Sequence, residues 1–405
     1  MAKLCSISLA LFRLLFLVGL MATVSSSLAA NKVIAWGAGK VVDASDGYDF
    51  GQSIVPAGLT NAVQLAGGRW HSLALKGDGT LQGWGDDDSG EIFFSSATNY
   101  VAIACGEVHS LALESDGTVA ASAGDDSYGQ TEVPNGLSNV VAIACGFYHS
   151  VALRSDGTVV AWGTSTNPAI IGTDNVDFGQ SLVPQGLSNV VAIAAGGYHT
   201  LALKADGTMV EWGDENTSDI PPGLSNVVAI ASGAEANIAL TANGTVAGWG
   251  TDTYGETNIP AGLSNVVAIA AGAWHNLAIQ NHGNVVAWGA GTGSNPYVDF
   301  GQNVVPGDLS NVVQVAGGFY HSLALEGNNP PVVSAPLEVT GYSTNGFKIT
   351  VPTRNGRVYQ LEYANSLIDP HWSTLPLQFG NGGILALGDP TATNATQRFY
   401  RLNRW

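Results

Sequence analysis

"GFYHSVALRSDGTVVAWG", Gly146 to Gly163, decides how this chain folds, because near copies recur along it. Gly196 to Gly213 reads "GGYHTLALKADGTMVEWG" and Gly272 to Gly289 reads "GAWHNLAIQNHGNVVAWG". Aligned on the histidine, the slots fall at His71, His109, His149, His199, Ala236, His275 and His321, at intervals of 38, 40, 50, 37, 39 and 46 residues. A period of this size belongs to propellers and solenoids, and the local pattern chooses between them. Each unit has an apolar run such as "NVVAIACG", a second such as "HSVALRS", an Asp-Gly, and a third run such as "TVVAWG". Asp-Gly between two β-rich runs signals a hairpin, expected here as a tight turn with positive φ at both central positions. It recurs at Asp78, Asp116, Asp156 and Asp206, with Asn243-Gly244 and His282-Gly283 in the same place. The unit is an antiparallel meander, and the fold class is all-β: a seven-bladed β-propeller.

The ends of the array carry a second clue. "NKVIAWG" at Asn31 to Gly37 begins in the middle of a unit, while the last unit stops after "HSLALEG" at His321 to Gly327 without its Trp-Gly. Each fragment supplies what the other lacks. The N-terminal strand is therefore expected to pair with the C-terminal strands, closing the ring and removing its open edges.

The series G-x-x-H-S-x-A-L-x-x-D-G-x-V-x-x-W-G, followed by "YGQTEVP" at Tyr128 to Pro134 or "FGQSLVP" at Phe178 to Pro184, resembles the regulator of chromosome condensation repeat over roughly three quarters of the chain. The resemblance implies a propeller. The eukaryotic founder of that family is a guanine-nucleotide exchange factor for a nuclear GTPase, and bacterial relatives include secreted β-lactamase inhibitors that bind proteins through the propeller face. Two units depart from the pattern: one reads Ser122-Ala123-Gly124 in place of Trp-Gly, and another has Ala236 for histidine.

Charge and the N-terminal residues favour the second, secreted kind. Residues Asn31 to Gly327 hold 28 acids against six bases, Lys32, Lys40, Arg69, Lys76, Arg154 and Lys204, so nucleic acid is excluded as a partner. Lys3 and Arg13 accompany an apolar run from Leu9 to Val24 that is followed by the small residues Ser27 to Ala30, the pattern of a secretory signal cleaved near Ala29 or Ala30. Cys5 goes with it, and no later stretch is apolar and long enough to cross a bilayer. The expected organisation is a signal peptide at 1–29, the propeller at 30–327, an Asn/Pro linker at 328–336 and a β-rich module at 337–405. The last, with "YQLEYANSLIDPHW" and "RFYRL", resembles a small β-sandwich module that ends many bacterial secreted proteins. The protein is expected to be secreted, periplasmic or on the cell surface.

Six histidines at one position of a ring are held apart by symmetry, whereas catalysis needs different groups converging on one atom. His71, His109, His149, His199, His275 and His321 are read as structural, buried and bonded to neighbouring backbone, together with Trp36, Trp84, Trp162, Trp212, Trp249 and Trp288. No metal site and no cofactor are expected. Cys105 and Cys145 occupy a slot otherwise filled by Gly, Ala or Ser. They are read as small hydrophobes; a disulfide between them would need Cα atoms within roughly 7 Å. The acidic clusters Asp86-Asp87-Asp88-Ser89-Gly90-Glu91 and Asp43, Asp46, Asp49 lack EF-hand spacing and read as solvated turns.

The position before each histidine slot is Trp70, Val108, Tyr148, Tyr198, Glu235, Trp274 and Tyr320, and Arg69, Glu107, Phe147 and Phe319 stand one place earlier. These turns should share a face with the loops after Trp-Gly, three of them long: Ala38 to Asp49, Thr164 to Asp177 and Ala290 to Asp299. The Asp-Gly turns lie opposite. Trp70, Tyr148, Tyr198, Trp274, Tyr320, Phe147, Phe319, Arg69, Glu107 and Glu235 form the expected binding face. The function read from this is a secreted, monomeric, non-enzymatic protein that binds an extracellular protein or glycan. Two alternatives are a secreted hydrolase or lyase with carboxylates in the central depression, and exchange-factor activity implied by the resemblance. No G-x-S-x-G or H-E-x-x-H motif is present.

Overall fold

The computed structural model describes residues 31–405 except 44, 46, 96, 165–175, 215–219, 294, 328–337, 344–345, 354–357, 366–372, 381–383, 395–397 and 405. The expected signal segment and the whole of the expected linker lie outside the described residues. The chain is all-β. After β1 (Lys32–Gly37) and a small ribbon of β2 (Val42–Asp43) and β3 (Asp49–Phe50) come β4 (Ala62–Gly67), β5 (His71–Lys76), β6 (Leu81–Gly85), β7 (Tyr100–Cys105), β8 (Ser110–Glu114) and β9 (Val119–Ala121). Next are β10 (Val140–Cys145), β11 (His149–Arg154), β12 (Val159–Gly163), β13 (Val190–Ala195), β14 (His199–Lys204) and β15 (Met209–Gly213). The array ends with β16 (Val227–Ser232), β17 (Ala236–Thr241), β18 (Val246–Gly250), β19 (Val266–Ala271), β20 (His275–Gln280), β21 (Val285–Gly289), β22 (Val312–Gly317) and β23 (His321–Glu326). Consecutive triplets from β4 to β21 form three-stranded antiparallel sheets, consistent with a β-propeller, and β1, β23 and β22 form one more. In that last sheet Lys32 pairs with Glu326 and Gly37 with His321. Among the described residues no helix is long and apolar enough to cross a membrane.

The alternation in "HSVALR" explains how the sheets meet. A middle strand is covered on both faces, so both sets of its side chains are buried. One face carries large residues and the other a small one. Leu111 and Leu113 pack on Ala152 and Trp162 of the next sheet, and Val151 and Leu153 pack on Ala202 and Trp212 of the one after. The same large-on-small contact puts Leu323 and Leu325 against Ala74 and Trp84. Where the second sheet has Ser122 for tryptophan, Leu73 and Leu75 meet Ala112, Tyr100 and Ile103 instead.

The hairpins occur at Asp-Gly as expected, but their turn differs. At β11 the Gly157 amide donates to Arg154 O at 3.0 Å and the Arg154 amide to Thr158 O at 2.9 Å, and Gly157 alone has positive φ, 80°. This is a type I turn closed by a glycine bulge, not a two-residue turn with two left-handed positions. Asp156 selects it: its carboxylate accepts from the Thr158 amide at 2.9 Å and hydroxyl at 2.6 Å. The glycine of Trp-Gly has a separate cause. Gly163 sits at φ 103°, and a Cβ there would lie 2.5 Å from Tyr148 O.

The C-terminal residues form β24 (Glu338–Ser343), β25 (Gly346–Pro352), β26 (Val358–Ala364), β27 (Ser373–Thr374), β28 (Gln378–Phe379), β29 (Ile384–Asp389) and β30 (Phe399–Arg404). They make two sheets, β24-β25-β29 and β26 with β27, β28 and β30, around Phe347, Ile349, Tyr359 and Leu361. The Leu377 amide donates to Ala205 O at 3.1 Å, and Val358 and Leu377 join the apolar cluster of the sheets beside it. The module thus touches the array at an Asp-Gly turn.

Candidate binding face

The recurring histidines form an inter-sheet chain of hydrogen bonds. His71 Nε2 is 2.9 Å from Ser110 Oγ, His109 Nε2 3.0 Å from Ser150 Oγ, and His149 Nε2 2.9 Å from Thr200 Oγ1. His199 Nε2 is 2.8 Å from Asn237 Oδ1, His275 Nε2 2.7 Å from Ser322 Oγ, and His321 Nε2 2.8 Å from Ser72 Oγ. The partner is the residue after the histidine slot of the following sheet, a side chain and not the backbone group expected. The hydroxyls of Ser72, Ser150, Thr200 and Ser322 in turn donate to the main-chain oxygens of Gln52, Gln130, Gln180 and Gln302. A hydroxyl with its proton so used must accept from histidine, which fixes Nε2–H. The same four glutamine carbonyls accept from the indoles of Trp84, Trp162, Trp212 and Trp36.

Burial holds all six histidines neutral. The pKa values of His71, His149, His275 and His321 fall to about 3 and those of His109 and His199 to about 4, desolvation being the main cause. Each ring packs on the glycine three residues before it; a Cβ at Gly146 would meet the His149 ring at 2.1 Å. The fifth unit solves the same problem differently. It has Ala236 and Asn237, and the preceding unit lacks the Gly-Gln turn. Buried Glu211 supplies the acceptor instead, taking Asn237 Nδ2 at 2.8 Å and Trp249 Nε1 at 2.9 Å.

The turns before the histidines and the loops after Trp-Gly do share one end of the sheets. The amides of Ala38, Asp86, Asp125, Thr164, Asp214, Thr251 and Ala290 donate to the oxygens of Tyr320, Trp70, Val108, Tyr148, Tyr198, Glu235 and Trp274. Residues 165–175 of one long loop lie outside the described residues. The turn aromatics are half-buried, and Phe319 and Tyr320 are only 9% and 8% exposed, so these two offer little contact area. A second set of rings that was not anticipated packs beside the first. Phe50 lies 5.2 Å from Trp70, Tyr128 4.8 Å from Tyr148, Phe178 5.3 Å from Tyr198, Tyr254 5.7 Å from Trp274 and Phe300 5.4 Å from Tyr320, centroid to centroid. Its signal was in the sequence: an aromatic recurs before Gly-Gln or Gly-Glu.

Phe147 and Phe319 meet at 4.7 Å beside a cavity of about 60 Å³ that they line together with Cys105, Cys145, Ser232 and glycines and alanines from the ends of the first strands of the sheets. That volume holds a few waters. Both cysteines are free, and burial pushes the Cys105 thiol up to about 12 and raises Cys145 as well. Beside the phenylalanines, the Arg69 guanidinium lies 3.9 Å from the Trp70 centroid and pairs with Glu107, whose side chain is buried. Burial first, and Glu107 second, raise the Tyr148 pKa. Glu235 stands half-buried on this face, and Asp43, Asp49, Asp86 and Asp87 each cap backbone amides of their own loops. Asp46 lies outside the described residues, and no group of three or more metal-ligating side chains occurs among those described.

Residues 62–91, 140–167, 190–218, 227–256 and 266–297 match the Regulator of chromosome condensation (RCC1) repeat, so the chain carries RCC1 repeats. The unmatched units are the one with Ser122 and the one divided between β1 and β22–β23. No curated protein matches the chain. Human WBSCR16 has a similar structure, with a TM-score of 0.55 at 20% identity over 74% of this chain and 99% of that one. Prp20p from Saccharomyces cerevisiae, described with its binding properties to Gsp1p and histones, gives 0.57 at 18% over 74% and 92%. Yeast RCC1 (Prp20) bound to Kap60 gives 0.55 at 20% over 74% and 89%.

Proposed function

We propose that this chain is a secreted, non-enzymatic binding protein of the bacterial type, a closed seven-bladed propeller that takes an extracellular protein or glycan on its aromatic face. The RCC1 repeats and the propeller-like neighbours support an interaction role. The pairing of Lys32–Gly37 with His321–Glu326 supports closure. Export is proposed from the apolar run Leu9 to Val24 behind Lys3. The observation that carries the reading is the double set of aromatic rings around Arg69 and Glu107 at the end of the sheets where the long loops gather. Tryptophan, tyrosine and arginine are the residues that most often dominate binding energy, and here a rigid scaffold holds them.

Affinity capture from native extracellular material, with a glycan array beside it, tests this. Partner retention should drop with Trp274→Ala or Tyr148→Ala and persist with Asp156→Asn at the Asp-Gly end. The opposite pattern would place the site elsewhere.

A further inference from the structure

The two ends of the sheets differ in charge as much as in shape. Of the six basic residues between Asn31 and Gly327, Lys32 begins β1 and Lys76, Arg154 and Lys204 end β5, β11 and β14, all at the Asp-Gly end. There Lys32 meets Glu326 and Lys204 meets Asp206. The aromatic end has Lys40 and Arg69, and Arg69 is held by Glu107. Around the rings stand Glu235 and the exposed carboxylates of Asp126 and Asp252, each two residues beyond the glycine, Gly124 or Gly250, at its unit's Trp-Gly position. Asp126 accepts from the Thr131 amide and Asp252 from the Thr257 amide, both at 2.9 Å. Amide capping fixes these side chains in place without cancelling their charge.

Arg69 shows what this face does with a cation: one aromatic plane and one carboxylate hold its guanidinium. Tyr198, Glu235 and Trp274 hold the same turn position in three consecutive sheets, and so set an aromatic, a carboxylate and an aromatic in a row on this face. The three turns are tied in series, the Gly197 amide donating to Ala234 O at 3.0 Å and the Ala234 amide to Ala273 O at 2.9 Å, and the charges of Glu107 and Glu235, opposed by that of Arg69, all reach the Tyr198 hydroxyl.

We propose that the aromatic face docks a cationic polypeptide segment, one lysine or arginine of which seats between Tyr198 and Trp274 against Glu235. This rests on the binding role proposed above and adds the partner's chemistry. A neutral sugar would stack on the rings but gain nothing from the carboxylate rim, and an anion would be repelled by it.

The test titrates the full chain with hexa-arginine, hexaglutamate and a neutral glucose hexasaccharide by calorimetry, at about 50 and about 200 mM salt. Hexa-arginine alone should bind, more weakly at the higher salt. Glu235→Gln should weaken it about fivefold and Trp274→Ala about tenfold, while Asp156→Asn at the other end changes it less than about twofold. Circular dichroism checks that the variants fold, and Trp274→Phe replaces Trp274→Ala if that variant does not. Equal losses from Asp156→Asn and Glu235→Gln would reveal diffuse attraction and overturn the site. Hexasaccharide binding that needs Trp274, without peptide binding, would overturn the cationic assignment and leave the binding face standing. If captured native partners also ignore both Glu235→Gln and the Trp274 variant, the binding face itself falls.

Discussion

Acidification from pH 7 to pH 4 probes the histidine chain directly, because each ring is neutral in the fold and free to take a proton once unfolded. A histidine whose folded pKa lies below its unfolded value of about 6.5 contributes stability that is complete above that value and drains away as pH falls toward the folded one. Four of the six sit at about 3 and two at about 4. At pH 5 each therefore costs about 2 kcal/mol, and the six together about 12 kcal/mol, comparable to the whole stability of a typical domain. Glu91 and Glu256, whose pKa values burial raises, oppose this in part. The cause is structural: Nε2–H is already given to a neighbouring side chain, and the Nδ1 atoms of His109, His149, His199, His275 and His321 have no acceptor for a second proton. Tryptophan fluorescence and far-ultraviolet circular dichroism against pH should show one cooperative transition between about pH 5.5 and 4.5. The proton uptake should be near six, and replacing His149 by Gln should reduce it by one. A protein still folded at pH 3.5, or an uptake unchanged in His149→Gln, would refute the reasoning.

Three further outcomes are expected. Deleting Asn31 to Gly37 removes the partner of β23 and the buried Trp36, so the truncated chain should melt far below the intact one or aggregate; an unchanged melting temperature would count against closure. His149→Ala should lower stability by about 1 to 3 kcal/mol in denaturant titrations and leave partner capture intact. Glu211→Ala strands Asn237 Nδ2 and Trp249 Nε1 in the interior, and should cost about 2 to 4 kcal/mol, more than an alanine at the exposed Glu132.

The spacing of His, Asp-Gly and Trp-Gly was enough to read the strands, their antiparallel order and the complementary half-units, because these depend on residues close in sequence. The turn class was not, since Asp156 acts through its side chain on Thr158 and not through its own φ. The histidine partners lie 38 to 51 residues away in sequence, or 249 residues away for His321 and Ser72, and become neighbours only when whole sheets stack. A trace was legible all the same: Ser72, Ser150, Thr200 and Ser322 are polar residues inside otherwise apolar strands, each beside the histidine it does not touch. On the aromatic face the first set of rings is legible from its constant place before the histidine, while Phe50, Tyr128, Phe178, Tyr254 and Phe300 join it only when their loops fold back beside those turns.

Glu211 shows what the repeats permit when exchanged. Four positions in two neighbouring sheets, Glu211 with Ala236, Asn237 and Trp249, form a set that works only together. Transplanting the third unit, Val140 to Gly163, over the fifth would restore a histidine and a hydroxyl at once. The shortened turn before it would still lack the carbonyl that Ser150 and Trp162 use, since that oxygen belongs to Gln130, outside the transplanted stretch. The modules of this array are therefore not the intervals between histidines. A unit carries half of its own wiring and half of its neighbour's, and cutting beyond the Gly-Gln turn would separate a strand from the oxygen its own tryptophan needs, whereas a cut just after Trp-Gly would keep the two together.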